Sequence, residues 1–120
     1  MAAIGVRNGS NGWLVLWIEP IGEDRWLMPG ETFEVRSDYV GDEQAFTVDY
    51  SIDHSERGAG IESITVYTDK GDWQVEVTDG SGNLVHCGHQ RPSEIDQKWK
   101  TQAEEARRRM QDRLRSDEDS

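Results

Sequence analysis

A cysteine and two histidines are the residues of this chain that are best suited to holding a metal ion. Cys87 and His89 are two positions apart, so both side chains would face the same way on a strand, and His54 lies upstream. Thiolate and imidazole are ligands of copper and zinc. A zinc site needs a third or fourth ligand at short spacing, and none is apparent. We therefore expect a half-buried thiol beside surface histidines, and no cofactor.

The same residues partly resemble the copper site of blue-copper proteins. That family consists of β-sandwiches with an upstream histidine and with a cysteine and a histidine near the last strand. The resemblance implies a cupredoxin-like site at His54, Cys87 and His89. The family leaves more residues between the cysteine and the histidine and adds a nearby methionine, whereas Met110 belongs to a predicted helix here. A copper or zinc site is therefore an alternative prediction.

Oxygen ligands at alternate positions give one loop a likeness to the start of a calcium-binding loop. They are Asp79, Ser81 and Asn83. The position that should close such a loop with a carboxylate is occupied by Gln90. A glycine-rich hairpin turn explains the same residues without an ion.

Motifs for hydrolytic chemistry are missing from the sequence. The chain contains neither G-x-S-x-G nor H-E-x-x-H, and Cys87 has no activating context. A sandwich of about 90 residues seldom encloses the deep pocket that a glycosidase or a phosphatase needs. The sequence therefore predicts a protein that is not an enzyme.

Tryptophan is frequent enough to suggest a platform for stacking on sugars. Trp13 and Trp17 share one face of the first long strand, Trp73 begins an inward-facing series, and Trp99 lies on a helix. Trp26 is the tryptophan that we expect to be exposed. Because aromatic side chains occupy cores more often than sites, carbohydrate or small-ligand binding is an alternative function.

The negative charge of the chain is concentrated in its first 90 residues. The net charge is −11, with 5 Lys/Arg against 16 Asp/Glu in residues 1–90 and eight of each in residues 91–120. Such a field repels phosphate backbones and anionic membranes, so neither nucleic acid nor a membrane is an expected partner. It attracts a basic protein. Acidity that only maintains solubility is the other interpretation.

Five carboxylates are predicted to lie on the outward faces of strands, where like charges destabilise a sheet unless water or a partner screens them. They are Glu34, Asp49, Asp53, Glu62 and Glu76. Together with Trp26 they form the predicted partner-binding surface. The leading function is a non-enzymatic protein-binding module, of the inhibitor or immunity type, that neutralises a basic partner through this acidic face.

Residues 1–91 predict an acidic, mainly β domain, a sandwich of seven to eight mostly antiparallel strands. Gly12–Glu19 is apolar on both faces, as expected of a central, doubly covered strand, and Pro20 ends it. Met28–Glu31 predicts a turn, and Leu84–His89 a returning strand. Clean alternation in one later strand places four apolar side chains toward the core: Phe46, Val48, Tyr50 and Ile52.

Residues 92–120 predict a C-terminal helical extension with a frayed acidic tail. A capping serine, Ser93, precedes apolar residues at helical spacing, and the amphipathic helix is expected to end near Arg115. A helix of about 22 residues spans about 33 Å, more than one side of a small sandwich needs. Its far half is therefore expected to protrude, to meet a partner, or to pair with a second copy in a homodimer. The apolar stripe consists of Ile95, Trp99, Ala106, Met110 and Leu114.

The location of the protein is predicted from what the sequence lacks. A single cysteine excludes an internal disulfide, and the N-terminus shows no signal-peptide pattern. The longest apolar run, Trp13–Ile18, is too short to cross a bilayer. We expect a cytoplasmic protein.

The segment of residues 8–36 resembles small bacterial β-sandwich proteins. The shared features are an asparagine, an apolar strand that ends in Glu-Pro-x-Gly and a later Pro-Gly turn, here Asn11, Glu19–Gly22 and Pro29–Gly30. The resemblance implies a cupredoxin-like or immunoglobulin-like sandwich and supplies no active-site residue.

Overall fold

The computed structural model describes residues 2–53, 61–70 and 74–118 of the chain. Within this part, seven strands precede a single helix. The elements are β1 (Ala2–Arg7), β2 (Leu14–Glu19), β3 (Glu23–Leu27), β4 (Thr32–Ser37), β5 (Phe46–Asp53), β6 (Ile61–Thr68), β7 (Val75–Thr78) and α1 (Ser93–Glu118). Residues 1–90 and residues 91–120 form two compact units.

The strands form two open sheets, as the alternation of apolar and polar residues predicts. One sheet has the order β1-β4-β7 and the other the order β3-β2-β6-β5. The pairing of β2 with β6 is parallel, and the other four strand pairings are antiparallel. The prediction of a mainly β fold with mostly antiparallel strands and a C-terminal helix is therefore confirmed.

The core lies between the sheets and is built from alternate residues of their strands. Leu16 and Ile18 of β2 are fully buried, and Val15 on the other face of the same strand is buried too. Because β2 has β3 on one side and β6 on the other, it is the central, doubly covered strand that its apolar sequence predicts. The buried cluster consists of Val6, Leu14, Leu16, Ile18, Leu27, Phe33, Val35, Val66, Val77 and Val85.

The segment after β7 was predicted as an eighth strand, and that prediction is wrong. Leu84–His89 makes isolated bridges with β7 and β3 in place of a continuous ladder. The N–H of Val85 donates to the carbonyl of Val77 on β7 (2.8 Å), and the N–H of Gly88 donates to the carbonyl of Asp24 on β3 (2.7 Å). The positive φ of Gly88 (83°) breaks the extended backbone between these contacts. The segment thus fastens the β7 edge of one sheet to the β3 edge of the other.

The inward series predicted for β5 is only half-buried at Phe46 and is exposed farther along the strand. Val48, Tyr50 and Ile52 are 44%, 57% and 39% exposed. Val66, directly opposite Val48 on β6, is fully buried. The three-stranded sheet is held near β3 and is too narrow to cover all four strands of the other sheet. At the opposite edge of that sheet, β5 therefore extends past the three-stranded sheet. The prediction that these three side chains lie in the core is therefore wrong.

The helix α1 begins at Ser93, as predicted, and reaches Glu118, three residues past the predicted end. In its first turn, Asp96 accepts hydrogen bonds from Arg91 (2.9 Å) and Lys100 (3.0 Å). These two cations hold the pKa of Asp96 below its ordinary value, with Lys100 the stronger influence. From residue 103 to residue 116 every side chain is exposed.

Asn8 is a fully buried polar residue that joins the β1–β2 loop to the β3–β4 turn. Its Nδ2 donates to the carbonyls of Gly12 (2.8 Å) and Leu27 (2.9 Å), and its Oδ1 accepts from the backbone and the hydroxyl of Ser10. Its N–H also donates to the carbonyl of Glu31 (2.9 Å). Each polar group of the Asn8 side chain therefore has a hydrogen-bond partner, and these hydrogen bonds hold the connecting segments in place.

We expect Asn8→Ala to lower the free energy of unfolding by about 2–3 kcal/mol, because it removes the side-chain donor of the buried Leu27 carbonyl and the bonds that order the Ser10–Gly12 loop. The matched control is Asn11→Ala, since Asn11 is exposed. The control is expected to change stability by less than about 0.5 kcal/mol. Urea unfolding followed by tryptophan fluorescence measures both. Equal midpoints for the two variants would contradict this role of Asn8.

Candidate protein-binding surface

Trp26 is buried, so the prediction that it is exposed is wrong. The side chain is 2% exposed. Its Nε1 donates to the carboxylate of Asp24 (2.8 Å), and its ring meets that of Trp13 edge-on at 6.2 Å. A ring enclosed in this way cannot stack on a sugar or contact a partner. The misleading signal was the shortness of the apolar segment around it, which gave no alternation from which burial could be judged.

The two predicted metal ligands that the structure describes, Cys87 and His89, have different neighbours. The Sγ of Cys87 lies 3.8 Å from the Asp24 carboxylate, whereas the ring of His89 meets that of Phe33 in the core at 5.7 Å. Cys87 thus contacts a residue of β3, and His89 contacts a residue of β4. Cys87 is exposed and not half-buried as expected. His54 lies outside the described residues, and among those described no group of three or more His, Cys, Asp or Glu is arranged to hold a metal ion.

The loop with calcium-like spacing is a turn stabilised by its own amides. The Asp79 carboxylate accepts hydrogen bonds from the N–H groups of Ser81 (2.9 Å) and Asn83 (3.0 Å), and Gly82 supplies a positive φ. These backbone donors, first Asn83 and then Ser81, lower the pKa of Asp79. The glycine-rich turn predicted here is confirmed, and its carboxylate oxygens are already engaged.

The five predicted partner-binding carboxylates are divided between the two sheets. Glu34 and Glu76 lie on the outer face of the three-stranded sheet, on either side of Arg36. Arg36 donates to Glu34 and lies directly opposite Glu76. Both carboxylates raise the pKa of Arg36, and the hydrogen bond to Glu34 is the main cause. Arg36 compensates one of these two negative charges, so the pair does not form an open acidic face.

The other three predicted residues are on β5 and β6 of the four-stranded sheet. Asp49 is on the outer face, opposite Thr65. Asp53 ends β5 opposite Ile61, and its side chain lies outside the description. Glu62 lies opposite Ile52, on the same face as the core residues and not on the polar face where it was predicted. The reason is its spacing of two from Ile64, which puts both side chains on one face.

Asp49 and Glu62 belong to what we call the β5 surface, which has an apolar side and a polar side. Glu62 borders the apolar side, and Asp49 is part of the polar side. Its apolar side consists of the exposed side chains Val48, Tyr50 and Ile52. Its polar side consists of Thr47, Asp49 and Ser51 on the opposite face of the same strand. Beyond Thr47 lies Asp69, whose carboxylate accepts a hydrogen bond from the Thr47 hydroxyl (2.6 Å).

Among the described residues, no cation forms an ion pair with a carboxylate of the β5 surface. Within the described ranges, no Lys or Arg nitrogen lies within 4.0 Å of Asp49, Glu62 or Asp69. Lys70, next to Asp69 in the chain, pairs with Glu43 at 2.8 Å. The other strand-domain ion pairs in these ranges join Arg25 to Glu23 and Arg36 to Glu34. As far as the described residues go, the negative charge beside β5 is therefore uncompensated and can attract an external cation.

Comparison with protein-family models, curated proteins and solved structures finds no match to this chain. The resemblance to small bacterial β-sandwich proteins therefore stays a prediction. Function has to be inferred from the chemistry of the surface alone.

The apolar side of the β5 surface is the part of the site that sequence reasoning missed. Val48, Tyr50 and Ile52 alternate with polar residues just as buried strand residues do. One available signal was the long apolar strand Gly12–Glu19. Because such a strand needs a neighbouring strand on each side, another strand has to form the edge of its sheet. Periodicity alone does not tell an edge strand from a central one.

The Tyr50 phenol is expected to ionise above its ordinary pKa, and Glu62→Gln is expected to move the transition back toward pH 10.0. Partial desolvation raises the pKa of Tyr50, and the charge of Glu62 and its hydrogen bond raise it further by disfavouring phenolate. Phenolate absorbance, taken as the difference from Tyr50→Phe, measures the midpoint. Glu34→Gln on the other sheet is the control and should leave it unchanged. A midpoint insensitive to Glu62→Gln would contradict the contact.

Proposed function

We propose that the chain is a non-enzymatic protein-binding module, of the inhibitor or immunity type, that binds a basic protein through the β5 surface. The observation that carries the proposal is an exposed apolar row, Val48, Tyr50 and Ile52, bordered by carboxylates that form no ion pair with a cation of the described residues. The acidic region that we propose is thus smaller than the sequence suggested, with Asp49 on the outer face of the sheet and Glu62 on the face of the apolar row.

The two parts of the β5 surface support different stages of binding. Long-range attraction from an acidic domain speeds the encounter with a basic protein and orients it. Apolar side chains that are already exposed then gain by leaving water, at about 25 cal/mol for each Å² buried. Neither effect needs a pocket or a cofactor, which fits a binding module better than an enzyme.

The alternative functions have less structural support. A sugar platform that includes Trp26 is excluded because that ring is buried. A copper or zinc site has less support because Cys87 and His89 contact different residues, and the described residues contain no group of three potential ligands. The β5 surface, in contrast, combines exposed apolar side chains with neighbouring carboxylates.

A second candidate property is self-association through the exposed part of α1, in keeping with the predicted homodimer. Met110 and Leu114 are 69% and 62% exposed and lie one turn apart. Sedimentation equilibrium measures the mass of the chain, and a dimer of this kind should dissociate in Leu114→Glu but not in Gln111→Glu. None of the described helices is long and apolar enough to cross a bilayer. The proposed site of action remains the cytoplasm.

The proposed function is tested with a lysine-rich peptide as a basic probe and fluorescence anisotropy as the measurement. We expect binding to weaken as the ionic strength rises from about 0.01 M to about 0.15 M, because the Debye length shortens from about 30 Å to about 8 Å. The double variant Asp49→Asn/Glu62→Gln should bind about fivefold more weakly, since exposed charge pairs are each worth up to about 1 kcal/mol.

The matched control is Glu34→Gln/Glu76→Gln, which removes the same number of charges from the other sheet. It should bind the peptide nearly as well as the unaltered chain. Equal losses in the two double variants would show that net charge, and not the β5 surface, attracts the peptide. Absence of binding even at low salt would overturn the proposed function.

A further inference from the structure

β5 is the longest sheet edge that the described part of the chain leaves without a hydrogen-bonded neighbour. The strand has eight residues and pairs with β6 alone. The edges of β3 and β7 are bonded by the segment 84–90. In an antiparallel pair, half of the backbone N–H and C=O groups of an edge strand point away from its neighbour. The free edge of β5 is therefore a template for one more strand.

The side chains of β5 also distinguish it from the other free edge. On β1, which has six residues, Val6 is buried and Ile4 is half-buried against the core. On β5 the apolar row beginning at Val48 is exposed beside the free backbone. The strand contains no proline and no lysine, the residues with which sheet edges are commonly protected. A strand added to β5 would bury this row, whereas one added to β1 would bury little that is apolar.

We propose that the basic partner binds by adding an extended segment as a fifth strand beside β5. This inference rests on the function proposed above and specifies its partner. Side chains of the added strand would alternate between the two faces of the sheet. Those beside Val48, Tyr50 and Ile52 are apolar, and those beside Asp49 are lysine or arginine, because neighbouring strands favour apolar pairs and opposite charges. The partner segment thus alternates basic and apolar residues.

A second copy of this chain fits the same edge poorly. Two β5 strands side by side would bring two Asp49 carboxylates to one sheet face, and each copy carries a net charge of −11. Like charges on neighbouring strands are destabilising, and the net charges repel over a longer range. Charge complementarity therefore selects a basic segment over self-pairing.

The test uses the full chain and a fluorescent seven-residue peptide of alternating lysine and valine. Two further peptides carry N-methyl groups, one on every valine and the other on every lysine. Alternate amides of an extended peptide point to opposite edges, so each methylated peptide loses donors on one edge only. We expect one of them to bind about tenfold more weakly and the other to bind like the unmodified peptide.

A variant pair tests the apolar side of the same surface. Val48→Ser should weaken binding of the unmodified peptide about threefold, because it removes a contact between neighbouring strands. Val40→Ser is the matched control, since Val40 is 82% exposed and lies outside the strands. It should leave the affinity unchanged, and circular dichroism checks that both variants are folded.

Three outcomes would overturn strand addition. One is equal affinity for both methylated peptides, and another is equal effects of the two valine variants. The third is a dimer of the free chain that Val48→Ser dissociates, since a second copy would then occupy the edge. If the unmodified peptide still binds in a manner that depends on Asp49 and salt, the proposed function survives the first two outcomes. If no peptide binds at low salt, both proposals fail.

Discussion

A strand that is apolar on both faces must be covered on both faces and paired on both edges, and β2 imposes this requirement on the rest of the molecule. Leu16 and Ile18 meet the opposite sheet, Val15 is buried on the other side, and β3 and β6 flank the backbone. Leaving one edge open would expose unpaired N–H and C=O groups beside an apolar surface. The parallel pairing of β2 with β6 is the least local contact of the four-stranded sheet, and it fixes which strand becomes the outer one.

The position of β5 follows from that arrangement together with the segment 84–90. By bonding the edges of β7 and β3, the segment holds one pair of sheet edges together. A three-stranded sheet held at that side leaves the last strand of a four-stranded sheet uncovered. The exposure of Val48 beside the complete burial of Val66 marks where the cover ends. The candidate site is therefore a consequence of unequal sheets and does not require any special chemistry in β5.

Local sequence patterns predicted the strands, turns and helix of this fold well. The features that they failed to predict depend on contacts between residues far apart in the chain. The alternation in β4 and β6, the turn at Met28–Glu31 and the start of α1 follow from short stretches of sequence and are confirmed. Exposure of β5 and burial of Trp26 depend on which strands lie opposite, which no local pattern encodes. Arg25 shows the same limit: its Nε donates to the carbonyl of Val85, sixty residues away, and helps to replace a predicted strand with an anchored loop.

In the function that we propose, the acidic residues beside β5 serve both protection and recognition. A free, partly apolar edge invites pairing between copies of a chain, and charge is one of the few devices that discourages it. Asp49 lies within the strand itself, where it acts against every incoming strand except one that brings a cation. Negative charge of this kind costs little while the edge is solvated, because water screens it. The same carboxylate thus disfavours self-association and favours a basic partner, so selection against aggregation and selection for binding would retain the same residue.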